Sequence, residues 1–251
     1  MLFAPSLGSF YFTLGERILL YFYGKERKNF SYFKKWLEIF TISSQCNRCK
    51  KNISFLALIP ILGFFLTQKK CPYCQYFISW IYPFCEFLFL VLFFLIFFLT
   101  KNFFFSISFL FLLGHILISM ITDYKKLILD YENLLFLLFF GVLSNYFYEN
   151  KFFSKENFFV GVNFLGFYVL LYILKPNAIG FGDVLYAPSY AFLIGHPFWM
   201  LFLNFSYVLA VFYYGILKIL GKNPSKKIPM GFFFGLGFVL SFCIKIILNF
   251  L

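Results

Sequence analysis

Long apolar runs separated by short polar connections make up most of this chain. The runs lie roughly at residues 1–23, 82–100, 103–121, 132–148, 158–174, 184–200, 203–220 and 230–250. A helix of about 17 residues is about 26 Å long, close to the thickness of the hydrocarbon core of a bilayer. The pattern therefore predicts an all-α polytopic membrane protein with about eight transmembrane helices.

The first run differs from the others because Glu16 and Arg17 interrupt it. The two charges either neutralise each other or form a functional polar site within the helix. Residues 1–23 lack the small-residue cleavage site of a secretory signal peptide. We therefore expect this segment to be retained as the first membrane helix.

The later runs follow one another closely enough to predict helical hairpins. The expected pairs are 82–100 with 103–121, 132–148 with 158–174, and 184–200 with 203–220. Pro188 and Pro197 are expected to kink or shorten the run 184–200. In the last run, glycines are expected to permit close helix packing, at Gly231, Gly235 and Gly237.

Composition agrees with a membrane protein and indicates its orientation. The chain is 62% hydrophobic and 13% charged, with a net charge of +12. The basic residues cluster in the connections 25–70, 125–126, 175 and 218–227, as the positive-inside rule expects of cytoplasmic segments. Both termini are then predicted outside. Because the positive charge follows the membrane connections, nucleic acid is not an expected partner.

Four cysteines in the polar segment 24–80 form two C-x-x-C pairs. The pairs are Cys46 with Cys49 and Cys71 with Cys74, separated by 21 residues. A two-residue spacer lets both sulfurs face one tetrahedral ion, which predicts a structural zinc site with four thiolates. Two disulfides are the alternative, but basic flanks place the segment in a reducing cytoplasm. We predict a small cytoplasmic loop domain held by zinc.

Two aspartates are predicted to meet at the cytoplasmic face. Asp123 ends one apolar run, and Asp183 follows Gly180-Phe181-Gly182. The chain between them crosses the membrane out and back, so both lie at the same face. Two adjacent carboxylates cannot easily both ionise, and the pair can therefore divide base and acid roles on a water molecule. Alternatively, Asp183 caps a helix.

Asp130 and Glu132 compete for the role of partner to Asp183. They lie where the next helix starts, and acidic residues stabilise such a helix end by capping and through the helix dipole. We prefer the capping role for both. His115 is expected to be a hydrogen-bonded packing residue, because no second His or Cys lies near it in sequence.

The order of these motifs resembles the bacterial type IV prepilin leader peptidase and N-methyltransferase family. The matching segments are Gly8-Ser9-Phe10, the C-x-x-C pairs, Tyr82-Pro83 with Glu86, Asp123 with Asp130, Gly180-Phe181-Gly182-Asp183, and Ile228-Pro229-Met230-Gly231. The chain departs from the family pattern at Leu129, where a proline is usual, at Met230, and at Tyr11-Phe12. The last departure concerns the methyltransferase part.

The resemblance implies a division of labour along the chain. Residues 1–100, with the tetracysteine loop, would form the methyltransferase part, and residues 101–251 a six-helix aspartyl peptidase. Asp123 and Asp183 would be catalytic, with support from Gly180, Gly182, Asp130, Pro229 and Gly231. The substrates would be type IV prepilins and the pseudopilins of type II secretion. They would be cut at the cytoplasmic face of the bacterial inner membrane, just before an apolar helix, and then methylated with S-adenosylmethionine.

Three alternatives stay open on the sequence. An ion channel or transporter would use the membrane aspartates to bind a cation, but would give no reason for a cytoplasmic zinc loop. A peptidase without methyltransferase activity would retain the aspartates alone. A non-catalytic assembly scaffold would use the zinc loop to bind partners.

Overall fold

The computed structural model describes residues 3–24, 30–46, 48–152, 154–176, 178–221 and 227–250. Within them lie ten α-helices: α1 Phe3–Phe22, α2 Tyr32–Thr41, α3 Leu62–Leu66, α4 Ile81–Thr100, α5 Phe103–Lys126, α6 Tyr131–Glu149, α7 Lys155–Leu174, α8 Phe181–Ile194, α9 Trp199–Ile219 and α10 Met230–Phe250. A 3-10 turn covers Phe55–Leu58. The described residues form no β-strand, so the all-α prediction is confirmed.

Five helices are long and apolar enough to cross a membrane. They are α4, α5, α7, α9 and residues Met230–Asn249 of α10. The chain is therefore a multi-pass membrane protein. Helices α1, with 20 residues, and α6, with 19, are not among these five, and α8 has 14 residues. The count of eight crossings stays a prediction.

Some basic residues that indicated orientation lie outside the described residues, namely Lys25, Arg27, Lys28, Lys222 and Lys226.

The run 184–200 does not form one helix, and its predicted boundary with the next run is wrong. Helix α8 ends at Ile194, and α9 begins at Trp199. Gly195 has a φ of 74°, a conformation through which a right-handed helix cannot continue. Pro188 lies inside α8. The predicted shortening is therefore confirmed.

The chain divides into two compact units, Met1–Leu95 and Ile96–Leu251. In the first unit, Glu16 accepts a hydrogen bond from the Tyr82 hydroxyl at 2.9 Å. Arg17 donates to the backbone carbonyl of Ile39 at 2.6 Å. The two charges that interrupt α1 thus bind α4 and α2 respectively, which places the polar face of α1 against the rest of this unit.

Helix α5 lies at the centre of the second unit and packs against α6 and α10. The core between α5 and α10 contains the fully buried rings of Phe109 and Phe242, whose centroids are 4.8 Å apart. Helix α7 packs against α8, and α9 against α10. The expected hairpin of 132–148 with 158–174 is therefore wrong for the described residues. Side chains of α8 pack against glycines on both α6 and α7. Leu193 contacts Gly141 on α6, and Phe192 contacts Gly161 on α7, so α8 lies between the two helices that were expected to pair.

The glycines of α10 permit close packing, as predicted. A Cβ atom at Gly235 would lie 2.6 Å from Cγ of Met120 on α5, and one at Gly237 would overlap Oγ of Ser206 on α9. At the far end of α10, Lys245 forms an ion pair with Glu149 at 2.8 Å and donates to the carbonyl of Ile194 at 3.1 Å. Lys245 therefore binds the end of α6 and the last residue of α8 to α10.

Candidate active site and metal centre

Three helix ends of the second unit meet around Asp123. This residue lies near the end of α5 and is 5% exposed. Its carboxylate accepts a hydrogen bond from the backbone N–H of Phe232 at 3.2 Å, with the N–H of Gly231 also directed at it. Because both N–H groups belong to the first turn of α10, the positive end of that helix dipole faces the carboxylate.

Asp183 lies in the first turn of α8, half-buried, and its side chain is close enough to Asp123 for their negative charges to repel. The N–H of Gly180, the N-cap of α8, hydrogen bonds to the Asp183 side chain. The structure thus brings together the two aspartates that the sequence paired. Each carboxylate faces the N-terminus of a helix, where negative charge is stabilised.

Leu129 fills the space between the glycines of the site. A Cβ atom at Gly182 would lie 2.8 Å from Cβ of Leu129, and one at Gly231 would lie 2.6 Å from its Cδ2. The same Cβ at Gly231 would lie 3.0 Å from Oδ2 of Asp123. Gly182 and Gly231 are therefore required for close packing around the acid pair. Leu129 takes up the room that both glycines leave.

Asp130 caps α6 and so takes the role preferred from the sequence. Its carboxylate accepts a hydrogen bond from the N–H of Glu132 at 3.1 Å, and its backbone carbonyl accepts one from the Tyr186 hydroxyl at 2.6 Å. Asp130 is 7% exposed, and burial raises its carboxyl pKa above the usual value. His115 hydrogen bonds to Asn133 at 2.8 Å, which confirms the packing role expected of it.

The remaining predicted residues border this site at the starts of two helices. Gly180 is the N-cap of α8, and a Cβ there would contact Oδ2 of Asp183 at 3.4 Å. Pro229 directly precedes α10 and is half-buried. Sequence reasoning missed the first-turn amides of α10 as partners of Asp123. The only available signal was the motif Pro229-Met230-Gly231, which marks the start of a helix but does not show that its first-turn amides bind Asp123.

Two tyrosines also lie near the acid pair and had no sequence signal. Tyr190 is fully buried, interacts electrostatically with Asp123 and hydrogen bonds to Oγ of Ser119 at 3.2 Å. Tyr168 interacts in the same way with Asp183. In a chain with 18 tyrosines, nothing in the sequence distinguishes these two from packing residues.

The four predicted cysteines cluster in the first unit. All four sulfur atoms lie within 4.8 Å of one another, with Cys46 to Cys74 at 3.7 Å and Cys49 to Cys71 at 3.9 Å. The two C-x-x-C turns have matching geometry, because Lys50 and Gln75, which follow them, have φ of 57° and 56°. Hydrogen bonding by the Cys49 backbone N–H is the main factor that lowers the pKa of the Cys46 thiol, to about 6.

These sulfurs fit a tetrahedral ion. With Zn–S bonds of about 2.3 Å, the sulfurs of a tetrahedral site lie roughly 3.8 Å apart. A disulfide requires about 2.05 Å between sulfurs, so the cluster has the spacing of a metal site rather than of two disulfides. With four protein ligands, an ion there has no open position and supports the loop rather than catalysis.

The N-terminal motif residues meet at the contact of α1 with α4. A Cβ at Gly8 would lie 2.6 Å from the carbonyl oxygen of Cys85, so the two backbones approach closely. Ser9 hydrogen bonds to the side chain of Glu86, which also accepts from the N–H of Ile61 at 2.6 Å. The first unit thus assembles the Gly-Ser-Phe and Tyr-Pro-x-x-Glu motifs around a buried carboxyl group.

Comparisons with known proteins give two family matches that together cover most of the chain. Residues 2–100 match the Bacterial Peptidase A24 N-terminal domain, and residues 110–215 match the Type IV leader peptidase family. The prepilin leader peptidase/N-methyltransferase of Bacillus subtilis (strain 168) is 35% identical over 85 residues, which are 34% of this chain and 28% of that protein. The chain thus aligns with less than a third of that relative's length. No solved structure matches the chain significantly.

Proposed function

Since this chain belongs to the type IV leader peptidase family, we propose that it is a membrane-embedded aspartyl endopeptidase. Its proposed substrates are prepilins and pseudopilins, cut between a basic leader and an apolar helix. The observation that carries the proposal is the approach of Asp123 and Asp183 at the meeting point of α5, α8 and α10.

The two carboxyl groups would share the acid and base roles of peptide hydrolysis. Because two adjacent carboxylates rarely both ionise, the pair holds one proton and titrates as a unit. The ionised partner removes a proton from water, whose oxygen attacks the peptide carbonyl carbon. The protonated partner hydrogen bonds to the carbonyl oxygen, and a proton then passes to the leaving amine as the C–N bond breaks.

The helix N-termini would preserve one negative charge in this buried pair. The first-turn amides of α10 hydrogen bond to Asp123, and Asp183 lies in the first turn of α8. Both dipoles stabilise an anion, which offsets part of the cost of removing a carboxylate from water. The two helix ends therefore help to keep one carboxylate ionised and available as a base.

The proposed site faces the cytoplasm. Lys125 and Lys126 end α5, and Lys175 lies in the connection that leads into α8, so basic residues lie next to two of the helix ends that form the site. Basic connections mark the cytoplasmic side of bacterial membrane proteins. A basic leader in the cytoplasm would then place its junction with the apolar helix at the depth of the aspartates.

N-methylation of the new N-terminus, with S-adenosylmethionine as donor, stays a prediction. It rests on the sequence resemblance and on the name of the relative from Bacillus subtilis. Mass analysis of a cleaved pilin tests it, because an added methyl group raises the mass of the N-terminal peptide by about 14 Da. An unmethylated product would leave a peptidase only.

Leader removal tests the proposal directly. The purified full-length protein is incubated in detergent with a prepilin that contains its leader and its complete apolar helix. We expect a product that lacks the leader, detected by gel shift and intact mass. A parent protein that leaves the prepilin uncut contradicts the proposed activity.

Gly231→Ala is expected to reduce cleavage at least about tenfold, since its Cβ would meet both Leu129 and Asp123. Cleavage rates and thermal unfolding midpoints are compared with those of Gly215→Ala, where nothing lies within 4 Å of the added methyl group. Leu129→Ala in the same chain should restore part of the lost activity. Equal activity of the two single variants would show that this packing does not position Asp123.

A further inference from the structure

A cleft between α7 and α9 opens beside the proposed active site. It has a volume of about 310 Å³ and is lined mainly by aromatic side chains, including Phe164, Phe167, Tyr168, Trp199 and Tyr207. The hydroxyl groups of Tyr168 and Tyr207 hydrogen bond at 2.8 Å, and the rings of Phe164 and Trp199 meet at 5.3 Å. These two contacts join α7 to α9 across the cleft.

One end of the cleft reaches the level of Asp183. Helices α7 and α8 are antiparallel, with Tyr172 against Phe181 at 5.7 Å and Gly161 against Phe192. Along the helix axes, this register places Tyr168 within one helical turn of the level of Asp183. The other end of the cleft lies at Trp199, the first residue of α9, whose ring contacts Phe164 in the middle of α7. The cleft therefore runs from the acid pair into the membrane.

A polar side chain lines this cleft in the middle of a membrane-spanning helix. Asn163 lies in the central part of α7, its side chain is exposed, and among the described residues nothing hydrogen bonds to it. An unpaired amide within the hydrocarbon region is costly and usually marks a functional site. Its position in the cleft points to a ligand that brings a polar group to this depth.

We propose that the cleft binds the apolar helix that follows the cleavage site of the substrate, with Asn163 hydrogen bonding to a polar group on it. This inference rests on the proposed function. When the scissile bond is at the aspartates, the apolar helix must run outward through the bilayer from that level. The cleft follows the same direction from Tyr168 to Trp199, and its aromatic walls suit aliphatic side chains.

Photo-crosslinking tests contact in the full-length protein. The Asp183→Asn chain, which should retain uncut prepilin, carries p-benzoylphenylalanine at position 167 in the cleft. The control carries it at position 165, two residues away on the opposite side of α7; Phe167 is 56% exposed and Leu165 41%. We expect an adduct with the prepilin at position 167 and none at 165. Equal adducts at both positions, or only lipid adducts at 167, would overturn the proposal.

Kinetics with two substrates test the role of Asn163. Asn163→Leu should raise KM for full-length prepilin about fivefold, the effect of one lost hydrogen bond, with kcat unchanged. Cleavage of a short peptide with the leader junction but no apolar helix should be unaffected. Asn204→Leu removes an exposed amide from α9 outside the cleft and should change neither substrate's KM.

These experiments distinguish failure of the cleft proposal from failure of the proposed peptidase activity. A parent protein that does not cut prepilin refutes the proposed peptidase. If the parent cuts prepilin but Asn163→Leu leaves its KM unchanged and position 167 forms no adduct, only the cleft proposal fails. An equal rise of KM for the short peptide would likewise refute binding of the apolar helix.

Discussion

Asp123→Asn and Asp183→Asn should each lower the rate of leader cleavage by about a thousandfold or more. Asparagine is nearly isosteric with aspartate but can act neither as a base nor as a proton donor of suitable acidity, and general acid–base catalysis typically contributes 10²–10⁴-fold. The measurement is single-turnover cleavage of a prepilin by each purified variant. If either variant cuts at the parental rate, the acid pair is not the catalytic group.

The third aspartate of the chain provides a matched control. Asp130 is as buried as Asp123, but its carboxylate caps α6 rather than meeting Asp183. Asparagine is as good an N-cap as aspartate, so Asp130→Asn should retain both the fold and cleavage. A large loss of cleavage in this variant, without loss in Asp123→Asn, would identify Asp130 as the partner of Asp183.

The two asparagine variants should lose activity without losing thermal stability. Replacing either member relieves the cost of holding two adjacent carboxyl groups, of which only one ionises, out of water, while an asparagine at 123 can still accept the hydrogen bond from Phe232. We therefore expect thermal unfolding midpoints equal to or above that of the parent. A marked decrease would mean that lost cleavage reflects misfolding.

Ion flux in liposomes that disappears with Asp183→Asn, without any leader cleavage, would favour the channel alternative.

Cys71→Ser should remove the metal ion and unfold the tetracysteine loop. Structural zinc contributes about 10 kcal/mol or more to folding in isolated zinc-finger peptides, and this loop buries few large apolar side chains. The parent should contain about one zinc ion per chain by elemental analysis, and the variant much less. Trypsin should cut the variant faster at Lys50 and Lys51, which are exposed in the loop.

Cys243→Ser is the matched control for this experiment, because Cys243 lies on α10 in the second unit and is not one of the four clustered cysteines. It should keep the full metal content and the trypsin resistance of the parent. A metal-free parent whose intact mass is about 4 Da below the reduced value would instead establish two disulfides. That result would end the zinc proposal.

Much of this protein follows from its sequence alone. The apolar runs predicted helices at 82–100, 132–148 and 230–250, and the structure has them at Ile81–Thr100, Tyr131–Glu149 and Met230–Phe250. This agreement has a physical cause: in lipid, each helix must satisfy its own backbone hydrogen bonds, so hydropathy and length largely define it. The cysteine spacing likewise predicted the sulfur cluster, because two short turns carry their own geometry.

Tertiary structure decided which helices meet. The sequence paired 132–148 with 158–174, whereas α6 packs on α5 and α7 on α8. The sequence did not indicate that the amides of Gly231 and Phe232 would bind Asp123, which lies more than a hundred residues earlier. It also did not indicate that Leu129 would fill the space left by two glycines. Helix contacts depend on the fit of small and large side chains between distant segments, and that fit has no periodic pattern along the chain. The sequence by itself determined the helices, the cysteine cluster and the two acids; only packing brought Asp123 to the N-terminus of α10 and beside Asp183, and left a cleft next to them.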